Sequence, residues 1–428
     1  MHVERSSPYG CSQGQCGRTQ GCRAPRTGWR CPDPIVRPLT GPILPSLHWI
    51  PDLLRNLLLA AAAAPVLAIA TLAVAQTAPQ APPARQLPAG ASLKLEQGEG
   101  RDVAEKLATE LTANFVYADQ GRAYATMLRA NAASGRYDQG TRQELADRMT
   151  EDLQAIQKDG HLHVAVAEEE VRGQGGGGPG IPKHWPPLIQ SAKEIAPGIA
   201  YIRFTAFMST DEEIAAVRKF MSEHQDAKTF IFDLRNHHGG RLGEMDVIFP
   251  YLFATKTPLV TMEMRRSIFD ANGSPFGDAP TLEIVKDASY MRATHYALPG
   301  EATPARDAKV YLLTSNRTGS AGEHFSLAFK STGRAMLIGE ATAGANHFGG
   351  MTEVGKNFAA FIPVGRTFDI KTGKDWEGDG VAPDIAVDPT QALVVALEKA
   401  GLSHEEAVRL NATEIPAEPV HRDKLRAR

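Results

Sequence analysis

The sequence predicts an α/β domain preceded by a small helical module, and three observations predict it. From Ala196 onward, short β-branched and apolar runs alternate with amphipathic helical runs, the pattern of strands and helices layered in one domain. Between Gly98 and Lys158 apolar residues instead recur at helical period. Third, the buried-strand run Lys309–Thr314 leads within a few residues into a helical run, and a serine stands at the junction. The chain has 428 residues with 43% hydrophobic content, enough for a large core. Its net charge of −3 offers no basic footprint for nucleic acid and no acidic tail.

The N-terminal part lies outside that core. Residues 1–54 are rich in Arg, Pro and Gly and are expected to be disordered or never translated. All four cysteines, at 11, 16, 22 and 31, fall here in no paired zinc spacing. Arg55 followed by the uncharged run Leu57–Ala75, ending Ala-Val-Ala, has the n-region, h-region and small-x-small site of a signal peptide, with cleavage before Gln76. Uncleaved, the run is long enough to anchor the chain in a bilayer. Residues 76–97 follow as a linker. A mature chain starting at Gln76 has no cysteine, which suits a periplasmic or secreted protein whose core manages without disulfides.

The helical module spans 98–160. Val103, Leu107, Leu111 and Phe115 form one stripe and Leu145, Met149, Leu153 and Ile156 another, with Asn131–Tyr137 as connector. A second region, 161–390, opens with His161–Val166 as a short strand that His161 begins. Glu168–Pro187, with four consecutive glycines, reads as a loop. Ile199–Phe204 and Thr229–Leu234 read as strands, Asp211–His224 and Glu244–Phe253 as helices, and Leu259–Met264 as a strand. Ser267–Asp307 is polar and reads as an excursion over the surface. Phe358–Pro363 and Thr367–Ile370 read as a hairpin, and 391–428 as a C-terminal helix and tail.

Five segments carry residues able to do chemistry. Thr318-Gly-Ser-Ala-Gly-Glu323 places Ser320 at a helix N-terminus, where free N–H groups and the helix dipole favour an oxyanion. Ser-x-x-Glu is also a capping box, which explains the same residues structurally. Asp159-Gly-His-Leu-His163 offers His161 as a base; His161 and His163 on one strand face also suit zinc, or a plain surface pair. Asp233-Leu-Arg-Asn-His-His-Gly-Gly240 is a strand end running into a diglycine turn, where backbone N–H groups can approach a ligand. Gly339–Gly350 is a glycine-rich loop that fits neither phosphate-loop template; its His347 is a second candidate base or a solvated loop histidine. Trp376–Asp384 carries Glu377, able to orient a histidine or simply to be a solvated turn residue.

Taken together, Asp-Leu-Arg-x-x-x-Gly-Gly, Thr-x-Ser-Ala-x-Glu, Gly-Arg-Ala…Gly-Glu-x-Thr-x-Gly and Gly-Val-x-Pro-Asp occur in the order and spacing of one family. The chain resembles the carboxyl-terminal processing (tail-specific) serine peptidases over roughly Val103 to Val387. It is most similar to the branch of the tricorn core and the interphotoreceptor retinoid-binding protein modules. The resemblance implies a crotonase-like ββα catalytic core, with Ser320 as nucleophile and the N–H of Ala321 and of Gly239 or Gly240 as oxyanion hole. Better-known members use a serine–lysine dyad; that lysine's position is Ala345 here, and no lysine stands from Ala335 to Val354. The tricorn-like branch implies His161 as base and Glu377 as the carboxylate that holds its tautomer. Where the tricorn core has a serine before the histidine, this chain has Gly160. The stretch Ala165–Ile195 is too short for the PDZ domain many members insert.

The implied activity is that of an exported serine peptidase acting on peptides or unfolded protein, with no metal or organic cofactor. The segment Gly173–Pro187 is a candidate lid. Two other readings share these residues: a non-catalytic carrier of hydrophobic ligands on the same fold, and a metallohydrolase using His161, His163 and His237 or His238. Oligomeric state is not fixed by the sequence.

Overall fold

The computed structural model describes residues 88, 90–167, 186–416 and 418–420. The expected extension 1–54, the expected signal peptide at 55–75 and all of the candidate lid segment except Pro186 and Pro187 lie outside the described residues.

Three helices open the described chain: α1 (Glu99–Asn114), α2 (Ala118–Ala133) and α3 (Arg142–Ile156). The two apolar stripes sit on α1 and α3, and between them α2 is a separate helix that takes up the first three residues, Asn131–Ala133, of the expected connector. Thr141 caps α3: its side chain accepts the Glu144 N–H while Glu144 accepts the Thr141 N–H. Ile156, placed in the second stripe, is exposed instead, because α3 ends there and the chain turns away. Packing begins before residue 98: Ala91 is buried, and the Leu93 and Ala91 carbonyls accept the N–H groups of Arg142 and Gln143.

Two sheets follow. The first contains β2 (Ile189–Ala196), β3 (Ile199–Phe204), β4 (Thr229–Asp233), β8 (Lys309–Thr314), β9 (Met336–Gly339) and β12 (Ile385–Ala386), in the order β12-β9-β8-β4-β3-β2. All neighbours are parallel except β2, which pairs antiparallel with β3 at the edge. Helices α4 (Asp211–Glu223), α5 (Gly243–Leu252) and α7 (Ala321–Thr332) pack with one face in a core of Phe204, Phe230, Phe232, Phe249, Phe325 and Phe329. Helices α8 (Pro389–Ala400) and α9 (His404–Thr413) belong to the other face, with Tyr201, Ile231 and Leu313. Strands β3 and β4 are buried along their whole length, as a sheet covered on both sides requires.

The second sheet is antiparallel. It joins β1 (His163–Val166), β5 (Thr257–Arg265), β6 (Leu282–Lys286), β7 (Tyr290–Ala297) and β11 (Phe358–Asp369) in the order β1-β11-β5-β7-β6, with β10 (His347–Gly355) also paired to β11. The helical module packs on this sheet, since Leu107, Leu111 and Leu153 share a core with Val164, Phe358 and Ile362. The molecule is thus a mixed α/β fold with a small N-terminal helical region, as expected.

Three expectations need correction. Ser267–Asp307 is not a surface excursion: it holds most of α6 (Arg266–Asn272) and all of β6 and β7, and β7 buries Met291, Ala293, His295 and Ala297 in strict alternation. Its less buried alternates Arg292, Thr294 and Tyr296 dilute the apolar content that marks a strand. The hairpin over 358–370 is one long strand, β11, whose hairpin partner is β10. The C-terminal region has two helices rather than one.

Candidate active site

The site forms where the parallel sheet's loops meet the start of β10. Strand β8 ends at Thr314, and the loop that follows is tied to the neighbouring strand end. Ser315 Oγ donates to the Arg235 carbonyl (2.5 Å), Thr318 Oγ1 to the Leu234 carbonyl (2.7 Å), and the Gly319 N–H to the His237 carbonyl (2.8 Å). Ser320 then takes φ 51° and ψ −116° at the N-terminus of α7. Only Ser209 and Ser320 have positive φ among the described non-glycine residues. Such a backbone costs on the order of 1–3 kcal/mol and persists where surrounding bonds hold it.

The capping-box arrangement predicted by the sequence is present, with its hydrogen bonding on one side. The Ser320 N–H donates to Glu323 Oε2 (2.9 Å), whereas the Glu323 N–H donates to the Ser320 carbonyl (2.9 Å) and the Ser320 side chain makes no cap hydrogen bond. The hydroxyl is left for other chemistry. Glu323 is fully buried and also accepts Thr342 Oγ1 (2.6 Å) and the N–H groups of Gly344 (2.7 Å) and Ala345 (2.9 Å). Burial pushes its carboxyl up, and these donors pull it part of the way back.

The diglycine turn lies against this serine. A Cβ on Gly239 would stand 2.7 Å from Ser320 Cβ, and one on Gly240 would stand 1.9 Å from the Phe207 carbonyl oxygen. Both glycines have positive φ, 103° and 128°. The Phe207 N–H donates to the Gly239 carbonyl (2.9 Å), and the Arg241 N–H to the Phe207 carbonyl (2.5 Å). The Gly239 N–H is taken by His237 Nδ1 (3.1 Å). The N–H groups of Gly240 and Ala321 have no acceptor among the described residues. His237 is completely buried, and burial lowers its imidazole to about 3, so it is neutral.

His161 lies in a turn just before β1, not in the strand, which begins at His163. Asp159 Oδ1 holds that turn by accepting the N–H groups of His161 (2.8 Å) and Leu162 (2.9 Å). The His161 ring stacks on Phe361 at 5.0 Å between centroids, and His163 stacks on the same ring at 6.2 Å. The residue keeps some surface, yet its Nδ1 is buried without a partner. Burial lowers the imidazole to about 4, against a smaller upward pull from Asp159. Gly160 packs on Ala345, where a Cβ would come within 2.8 Å of the alanine Cβ. The position of the absent lysine and the turn carrying His161 are therefore in contact.

Glu377 has a different hold from the one expected. It does not bond the His161 imidazole; Oε1 accepts the Gly160 N–H (2.6 Å), and Oε2 accepts the N–H groups of Asn346 (2.8 Å) and His347 (3.3 Å). His347 is not a solvated loop residue either. It is 2% exposed, with Nδ1 2.7 Å from Asp159 Oδ2 and 3.8 Å from Glu377 Oε2. Asp159, His347 and Glu377 are the described side chains close enough to share a metal ion. The zinc set of His161, His163 and His237 or His238 is not assembled, since no such group among the described residues brings its ligand atoms close enough to share an ion. Asp159 and the buried role of His347 escaped sequence reasoning; an Asp two residues before a turn N–H is the one local signal that pointed to it.

Residues 198–387 match peptidase family S41, and residues 95–200 match the N-terminal domain of peptidase S41 in eukaryotic IRBP. The chain belongs to peptidase family S41. A curated relative, the chloroplastic carboxyl-terminal-processing peptidase 3 of Arabidopsis thaliana, is 25% identical over 190 residues, 43% of this chain and 31% of the relative. The match thus spans about a third of that relative's length. Among solved structures, a lipoprotein from Streptococcus agalactiae is similar at 14% identity and a TM-score of 0.46, over 72% of this chain and 99% of that one. The photosystem II D1 C-terminal processing protease is similar at 14% identity and a TM-score of 0.44, over 73% and 97%. The S41 family is one of serine-type peptidases, and the match at 198–387 includes Ser320, Gly239, Gly240 and Glu377.

Proposed function

We propose that the protein is an exported serine peptidase that hydrolyses peptide bonds of peptides or unfolded protein segments. The observation that carries this reading is Ser320: a strained residue at a helix N-terminus, its side chain without a cap hydrogen bond, with the diglycine backbone packed against it. Strain held by surrounding bonds at such a turn is the mark of a presented nucleophile. S41 membership supplies the reaction class.

In this reading Ser320 Oγ attacks the substrate carbonyl. His161 takes the hydroxyl proton and passes it to the leaving amine; with its imidazole lowered to about 4 it is unprotonated at neutral pH and ready to accept. The oxyanion is received by the Ala321 N–H and a glycine N–H of the turn, and Gly240 is the better donor because the Gly239 N–H is engaged. Glu377 acts on the backbone of the His161 turn rather than on the ring. No step calls on a metal. Export rests on the leader-like run at 55–75, and membrane attachment follows only if that run is retained. A cavity of about 450 Å³ beside Glu377, lined by Asp119, Lys158 and Asp375 among others, is polar.

Degradation of an unfolded protein by the full chain tests the reading. Ser320→Ala and His161→Ala should each lower turnover by about 10³-fold or more. Turnover unchanged in Ser320→Ala would show that the serine is not the nucleophile.

A further inference from the structure

We propose that His347 is a positioning residue: its side chain, set between Asp159 and Glu377, fixes the turn that carries His161. This deepens the peptidase reading and rests on it for the role of His161.

The geometry is a chain of holds through one loop. Asp159 uses Oδ1 for the N–H groups of His161 and Leu162, and Oδ2 for His347 Nδ1 (2.7 Å). Glu377 uses Oε1 for the Gly160 N–H (2.6 Å) and Oε2 for the Asn346 N–H (2.8 Å). The two carboxylates thus grip residues 159–162 on one side and 346–347 on the other. The same loop is gripped at Gly344 and Ala345 by Glu323, which also holds the Ser320 N–H. Glu323 aligns the loop with the nucleophile, and the Asp159–His347–Glu377 cluster aligns it with the histidine.

Asp159, His347 and Glu377 bring their polar atoms within 4.8 Å of one another, and a charged imidazole between the two carboxylates opposes the burial and the Asp159 charge that raise the Glu377 carboxyl. Burial works against its charged form. The Asp159 hydrogen bond and the charges of Asp159, Glu377 and Asp375 outweigh burial and raise the imidazole above its ordinary value. Other charged and titratable groups near it are Arg366 on β11, paired opposite it; Tyr117, whose ring lies 5.6 Å away; and Lys158 and Asp119, which share its cavity. Arg366 is committed to Glu263 and Asp375. The cavity lined by His347 and Glu377 gives water a route to the ring. Loss of the His347 proton leaves Asp159 and Glu377 facing each other as like charges, and the His161 turn loosens.

The test uses the full chain as wild type, His347→Gln and Asp159→Asn/His347→Gln. Two readouts are followed against pH: the rate of Ser320 labelling by a fluorophosphonate, and the imidazole signals of isotope-labelled histidines. The expected wild type shows His347 titrating above an ordinary histidine and an alkaline fall in labelling at the same pH. His347→Gln should label about 10- to 100-fold more slowly, lose the alkaline limb, and shift the His161 signal. The double variant, in which Glu377 no longer faces a second carboxylate, should recover part of the rate. Equal labelling in wild type and His347→Gln, or an unshifted His161 signal in a folded variant, overturns the proposal. A wild type that never labels sinks the peptidase reading instead, and the histidine signals still decide whether His347 holds the turn.

Discussion

Glu323 is the residue on which the nucleophile's geometry rests most directly. Its carboxylate accepts from Thr342 and from the N–H groups of Ser320, Gly344 and Ala345, so every one of its partners is a donor. Glu323→Gln puts an amide NH₂ among those donors and removes at least one bond without replacement. The expected loss is about 2–4 kcal/mol of stability, with slower Ser320 labelling in the fraction that remains folded. Thermal melts beside labelling rates check this; an unchanged melting temperature would show that the donors find other partners. Gly322 is constrained in a second way, because a Cβ there would stand 2.6 Å from His237 Nδ1. Gly322→Ala should push the His237 ring off the diglycine turn, lowering turnover more than it lowers substrate affinity, as a split of kcat from KM would show.

Among the elements, the N-termini of α4 and α5 hold the segment that backs the diglycine turn. Glu244 accepts the N–H (2.6 Å) and Oγ (2.9 Å) of Ser209, the other non-glycine residue of positive φ, and Glu213 accepts the Met208 N–H (3.0 Å). Burial, then the hydrogen bond and charge of Glu244, raise the Glu213 carboxyl far above the ordinary range, so it is held protonated. A carboxyl raised on folding stabilises the fold fully below its unfolded value, and that contribution fades as pH rises toward the folded value. Glu213→Gln keeps the neutral shape, so chemical denaturation should find the variant's stability flatter than wild type from about pH 5 to 9. Parallel curves would mean the pair does not share a proton.

Across the whole molecule, buried neutral histidines set the acid limit. Burial lowers His237 to about 3 and His161 to about 4, and holds His324 well below its ordinary value. Each depressed imidazole contributes stability that is present above about pH 6.5 and is lost as pH falls toward its folded value. For His237 alone the contribution is on the order of 5 kcal/mol. Denaturant midpoints should therefore fall steadily below about pH 6.5, and a midpoint flat to about pH 4 would place these rings in water.

Much of this was legible at the level of order and pattern. The alternation from Ile199 to Met264 predicted β3, α4, β4, α5 and β5 because each buries a face or a whole length, and burial writes its period into the sequence. Strand β2 was not legible: it is an edge strand whose middle carries Ser191, Lys193 and Glu194 without apolar alternation. Strand β7 was masked by its polar alternates, and β10 by three glycines and irregular register. Within the site, Ser320 and the diglycine turn stood out because their backbones demand particular residues. His347 did not, since its partners Asp159 and Glu377 are brought to it by tertiary folding, 188 and 30 residues away.

The measurement that bears most directly on the central claim is the pH dependence of fluorophosphonate labelling of the full chain, with the adduct mapped by mass spectrometry. The expected product is a single adduct on Ser320. On the acid side its rate should hold well below the ordinary histidine range and fall only as pH approaches about 4, where His161 gains its proton, and that limb should vanish in His161→Ala. A folded protein that carries no adduct on Ser320, or one whose labelling ignores the loss of His161, would contradict it.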